Sequence, residues 1–99
     1  MENISEQRTF IRNRISEATL YENLAEECTE LAKAALKKAR KLRGENPTPK
    51  TIEEIDTNID EEIADVSVCL FVLDLGSELD KFYRKLTRWC DRIEKLHDL

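Results

Sequence analysis

Two octapeptides in this chain carry the same pattern. Leu24-Ala25-Glu26-Glu27-Cys28-Thr29-Glu30-Leu31 reads apolar, x, Glu, Glu, x, x, acid, apolar. Ile59-Asp60-Glu61-Glu62-Ile63-Ala64-Asp65-Val66 repeats it 35 positions later. Each sits within a longer row of apolar residues at three- and four-residue spacing, the period of an amphipathic helix. At about 100° per residue, with Leu24 as origin, Leu20, Cys28, Leu31, Ala35 and Leu42 fall within about 40° of one line. With Ile59 as origin, Ile52, Ile55, Ile63, Val66, Leu70 and Leu73 form the matching stripe. A chain with two such stripes to bury is confined to helix-on-helix packing. Two glycines, two prolines and six aromatics in 99 residues agree. The expected fold class is all-α, a four-helix bundle in one domain spanning residues 1–99.

The acidic residues occupy matched places beside the stripes. Glu27 lies at about −60° and Glu30 at about −120° from Leu24, and Glu62 and Asp65 take the same offsets from Ile59. If the helices pack stripe to stripe, four carboxylates converge. Like charges at close quarters either raise their pKa values or take up a cation. An all-oxygen donor set suits Mg²⁺ or Mn²⁺ rather than zinc, and Mg²⁺ held by carboxylates keeps sites for water and phosphate oxygens. The chemistry pointed to is metal-dependent cleavage of a phosphate ester or anhydride. The competing reading is a solvated acidic helix face, since 37% of the chain is charged.

Glu26-Glu27-Cys28-Thr29-Glu30 followed by Glu62-Ile63-Ala64-Asp65 resembles the EExxE…ExxD signature of the MazG-like, all-α nucleoside triphosphate pyrophosphohydrolases. The resemblance runs from about residue 20 to 92. It implies Mg²⁺ held at Glu27, Glu30, Glu62 and Asp65, and hydrolysis of (deoxy)nucleoside triphosphates to monophosphate and pyrophosphate. It also implies a homodimer or homotetramer, and phosphate contacts from a lysine and an arginine of the last helix. Lys85 and Arg92 match that spacing, with Arg88 an added candidate. Trp89 stands where the family often has asparagine. The 31 residues between Glu30 and Glu62 make a long gap, and the difference falls on the connecting loop.

Composition narrows the partners. A net charge of −5 argues against general binding to nucleic-acid backbones, while a bound metal would reverse the local sign for a nucleotide. Cys28, Cys69 and Cys90 lack metal-type spacing and read as reduced apolar fillers of a cytoplasmic protein. Met1-Glu2-Asn3 opens into charged sequence without a leader pattern. The longest apolar run, Val66 to Leu75, is too short to span a bilayer.

Along the chain, Asn3 is the expected N-cap of a first helix, with Glu6 returning the bond. Ile4, Ile11 and Ile15 share its face. A break is expected over Ser16 to Thr19, with Thr19-Leu20-Tyr21-Glu22 as the next capping box. The second helix runs to about Leu42, ends in basic residues suited to its dipole, and stops at Gly44. Residues 44–50 read as an extended connector. Thr51-Ile52-Glu53-Glu54 caps the third helix, which is expected to run to Leu75 and end at Gly76. Its last turns are apolar nearly all round, which requires burial on several sides and hence oligomerisation to complete the bundle. Ser77 is the expected cap of a fourth helix with Leu79, Phe82, Leu86, Trp89 and Ile93 on one face. Asn23, one turn before Glu27, is placed for a base or sugar contact. Glu26, or a free oxygen of Glu27 or Glu30, is the candidate proton acceptor. Two other functions fit the same residues: a non-enzymatic helical interaction module, and a nucleotide sensor that binds without turnover.

Overall fold

Each helix begins and ends where a local backbone device supplies the missing hydrogen bonds. A computed structural model describes residues 3–45 and 49–97. It contains four α-helices in chain order: α1 (Ile4–Arg12), α2 (Glu17–Arg43), α3 (Ile52–Val72) and α4 (Leu79–His97), with no strand among the described residues. The all-α expectation holds. Among the described residues, no helix is long and apolar enough to cross a membrane.

Asn3 caps α1 by accepting the Glu6 N–H at 2.8 Å, and Glu6 Oε1 accepts from the Asn3 side-chain amide at 2.9 Å. Ser16, rather than Thr19, caps α2: its hydroxyl accepts the Thr19 N–H at 3.2 Å. Both residues can cap, and the earlier one lengthens the helix by a turn. Gly44 closes α2 in the left-handed region (φ 73°). There Glu45 N–H reaches the Arg40 carbonyl at 3.0 Å and Gly44 N–H the Lys41 carbonyl at 3.2 Å, the two bonds of a Schellman ending. Thr51 and Glu54 form the expected capping box of α3.

The α3 terminus differs from expectation. The helix ends at Val72, with Asp74 in the left-handed region (φ 57°). Leu75 N–H bonds the Leu70 carbonyl at 2.8 Å and Asp74 N–H the Phe71 carbonyl at 3.1 Å. An aspartate thus takes the place expected of Gly76, because Asp tolerates this conformation better than most residues. At α4, Phe82 N–H bonds the Glu78 carbonyl at 3.1 Å, which makes Glu78 and not Ser77 the capping position. Of the expected connector 44–50, Asn46, Pro47 and Thr48 lie outside the described residues.

Helices α2 and α3 are the antiparallel pair that organises the chain. At one end Leu20 packs with Val72 and Leu73, and at the other Lys38 pairs with Asp56. The positions that are not exposed on α2 include Leu20, Leu24, Glu27, Leu31, Ala34, Lys38 and Lys41, and those on α3 include Ile55, Ile59, Glu62, Val66 and Cys69. These two rows step by four and three residues in alternation, the heptad seam of two helices that follow each other over many turns. This seam is rotated from the expected stripes toward the acidic shoulder of each helix. Cys28, Ala35, Leu42, Ile52 and Ile63, expected inside, are exposed. An apolar stripe wider than one helix contact leaves its far edge uncovered.

Helix α1 lies on α3, with Ile11 against the Leu20–Val72–Leu73 cluster. Arg12 donates to the Val72 carbonyl at 3.3 Å, and Arg8 stacks over the Phe71 ring at 4.8 Å. Helix α4 packs on none of the others over any length, and every one of its residues is exposed. The expected fourth helix therefore forms, but it does not close a bundle within one chain. The radius of gyration shows it: 17.9 Å, against about 13 Å for a compact chain of this length.

Candidate metal centre

Glu27, one of the two acidic seam positions, sits at the middle of α2, where the seam gives it half-buried surroundings. Glu62 holds the equivalent seam position on α3, and Asp65, three residues on, lies at its exposed edge. One carboxylate oxygen from each of Glu27, Glu62 and Asp65 lies within 4.8 Å of the other two. Among the described residues, none of the three has an ion pair. The Glu27 carboxyl is raised above its ordinary value of 4.5, first by desolvation, then by the negative charges of Asp65, Glu62, Glu30 and Glu26.

Such a cluster suits a small divalent cation. Opposite ligands of an octahedral Mg²⁺ stand about 4.2 Å apart, twice its usual bond to oxygen. Adjacent ligands stand about 3 Å apart, so the three oxygens, which lie within 4.8 Å of one another, share one ion only after side-chain rotation draws them closer.

Glu30, the fourth expected ligand, is placed differently. It is exposed and its carboxylate faces Lys33 at 3.4 Å. It stays near enough to raise the Glu27 carboxyl, as does exposed Glu26. Asn23 is half-buried one turn before Glu27, on the seam side of α2. Lys85 and Arg88 line a shallow depression of about 430 Å³ with Lys81 and Arg84, all four on α4, and Arg92 lies one turn beyond Arg88. The structure thus brings together Glu27, Glu62 and Asp65, with Glu26, Glu30 and Asn23 around them. It leaves Lys85, Arg88 and Arg92 on a helix that does not pack against α2 or α3 within the chain.

Cys69 is the neighbour that periodicity at 100° per residue passed over. It occupies the seam one turn after Asp65. Its thiol is raised above 9.0, chiefly by desolvation and then by Glu27, Asp65 and Cys28, so it stays protonated and unreactive at neutral pH. A heptad reading of α3 finds it directly. Cys28 and Cys90, expected as buried fillers, are exposed free thiols. Cys28 lies on the stripe edge that the rotated seam leaves out, and Cys90 on the unpacked α4.

Compared with known proteins, the chain matches no family model, no curated protein and no solved structure.

Proposed function

We propose that the chain is a Mg²⁺-dependent nucleoside triphosphate pyrophosphohydrolase that works as a homo-oligomer. The observation that supports this reading most is the convergence of Glu27, Glu62 and Asp65 from two helices, with no ion pair to any of the three among the described residues. The MazG-like signature is carried by the same residues. In this reading Glu27, Glu62 and Asp65 hold the metal, with Glu30 released from Lys33 to join them or to bind a second ion. The metal, Mg²⁺ or Mn²⁺, offsets the phosphate charge and lowers the pKa of the attacking water. Glu26, or a free oxygen of Glu27 or Glu30, accepts the proton as water attacks the α-phosphorus. The bond from the α-phosphorus to the bridging oxygen breaks, and pyrophosphate leaves. Lys85, Arg88 and Arg92 stabilise the departing charge, and Asn23 contacts base or sugar.

The test is incubation of the pure protein with each NTP and dNTP plus Mg²⁺, with the products resolved. Monophosphate and pyrophosphate are expected, and Glu62→Gln is expected to abolish both. No turnover of any nucleotide at enzyme concentrations comparable to substrate would refute the reading.

The exposed apolar face of α4 favours a second reading, a helical interaction module whose acidic cluster is solvated. Such a module gains no thermal stability from Mg²⁺ or Mn²⁺, whereas a metal site does so by mass action. Nucleotide binding without pyrophosphate release would identify a sensor.

A further inference from the structure

Helices α1 and α3 enclose an apolar groove of about 440 Å³, within the roughly 300–1,000 Å³ of small-molecule clefts. Phe10 and Ile11 of α1 line one side, and Val68 and Phe71 of α3 the other. The groove runs beside α1 from Ile4 to Ile11, about 10 Å of helix rise. Two contacts hold α1 in place and so preform it. Ile11 packs on the Leu20–Val72–Leu73 cluster, and Arg12 donates to the Val72 carbonyl at 3.3 Å.

The polar groups of this groove have one sign. Gln7 and Arg8 are the polar residues that line it, and no acidic side chain does. A guanidinium stands on each aromatic wall: Arg8 lies 4.8 Å from the centre of the Phe71 ring, and Arg14 lies 3.6 Å from that of Phe10. Residues 4–14 hold three arginines and one glutamate, a net +2 in a chain of net −5. Arg8 already attracts one carboxylate, Asp74, at 3.6 Å. That pair is open to exchange, because the Asp74 side chain is 80% exposed and exposed pairs contribute little. The fork of N–H donors on a guanidinium can also serve a second anion.

We propose that the α1–α3 groove binds a small amphiphile with one anionic head, a carboxylate or a phosphate on an apolar body of the groove's length. The body lies between Phe10, Ile11, Val68 and Phe71. The head takes a forked pair of hydrogen bonds from Arg8, with the Gln7 amide donating beside it. Size selects this occupant over a protein, since a standard protein interface buries about 800 Å² on each partner, more than so short a groove offers. Charge selects the head. Apolar burial alone takes an alcohol or an amine as readily, whereas a guanidinium held against a ring at the wall favours an anion. The site shares no residue with the acidic trio or with the cations of α4, so it goes beyond the proposed hydrolysis and is read without it.

The experiment is methyl NMR of the full chain, in chelator and without nucleotide. Decanoate and decyl phosphate, below their micellar concentrations, are expected to shift the Ile11, Val68 and Val72 methyl signals saturably, and the tighter of the two identifies the head group. Leu86 and Ile93, on the exposed apolar face of α4, report indiscriminate uptake of amphiphile and are expected to stay unshifted. Decanol and decylamine are expected to bind about ten-fold more weakly than the anions, the factor of one charge-assisted hydrogen bond. Arg8→Gln is expected to remove that preference. Val68→Glu, at a position 58% exposed where the fold tolerates it, is expected to abolish anion binding with helix content kept. Asp74→Asn retains a residue that accepts left-handed backbone, frees Arg8 of its competitor, and is expected to tighten anion binding several-fold. An absence of saturable shifts at the groove methyls overturns the proposal. So do equal shifts at Leu86 and Ile93, or decanol binding as tightly as decanoate.

Discussion

Glu27 is a carboxylate in a position that the packing of α2 on α3 would ordinarily give to an apolar side chain. Its elevated pKa has a thermodynamic sign. Between the unfolded and the higher folded pKa, the folded state binds more protons, so stability falls as pH rises through that window. The cost is fully present above the folded pKa. The metal-free protein, kept in chelator, is therefore expected to melt at lower temperature at pH 7 than just above pH 4.5. Glu27→Gln is expected to raise the pH 7 melting temperature in chelator and to flatten this slope. The same substitution is expected to erase the stabilisation that Mg²⁺ gives the parent protein. A parent melting temperature that rises steadily over that pH range, with Glu27→Gln no more stable in chelator, would show that the cluster is not under strain from its own charge. Glu30 is expected to behave differently, since Lys33 already offsets its charge. Glu30→Gln leaves the chelated protein's stability within a few tenths of a kcal/mol, as an exposed pair contributes little.

At the scale of elements, the seam makes its own predictions. Ala34 is the most buried side chain named in the core, 2% exposed, at a point where α2 and α3 approach closely. Ala34→Leu overfills that contact and is expected to cost about 1–3 kcal/mol, read from denaturant unfolding. Ala35→Leu, one residue on and exposed, is expected to cost little or nothing. The angular reading at 100° per residue puts Ala35 on the stripe and Ala34 about 80° away from it. That contrast shows what was legible. Helix number, helix type, the capping box at Thr51 and the stop at Gly44 follow from local hydrogen bonding and backbone preference, so short stretches of sequence suffice to find them. The rotation of the seam does not, because it depends on how two wide apolar stripes share one contact, and a straight-helix projection drifts from a seam by about 20° per heptad. The convergence of Glu27, Glu62 and Asp65 was legible because both acidic motifs sit on the same shoulder, and rotation toward that shoulder draws them together. Glu30 falls outside the trio because it lies farther round the helix, where Lys33 one turn on is within reach. Asp74 in place of Gly76 was illegible for a local reason: aspartate signals a left-handed residue only weakly, and the glycine two residues later gives the stronger signal.

The whole molecule is extended. One antiparallel pair, a short helix laid on it and a free amphipathic helix leave more apolar surface outside than a single small domain tolerates. In the proposed reading, assembly would bear on its stability as well as its function. Its melting temperature is expected to rise with protein concentration, as folding linked to association requires. Such an assembly would also bear on the proposed site, because Lys85, Arg88 and Arg92 ride on a helix that packs on none of the others over any length. The account stands or falls on whether the acidic trio takes up a divalent ion. Paramagnetic resonance of free Mn²⁺, titrated with the parent protein and with the Glu27→Gln, Glu62→Gln, Asp65→Asn triple variant, reads this without nucleotide or turnover. The parent is expected to remove the free Mn²⁺ signal saturably, and the folded triple variant to leave it unchanged. Equal removal by both proteins, or by neither, would contradict the account.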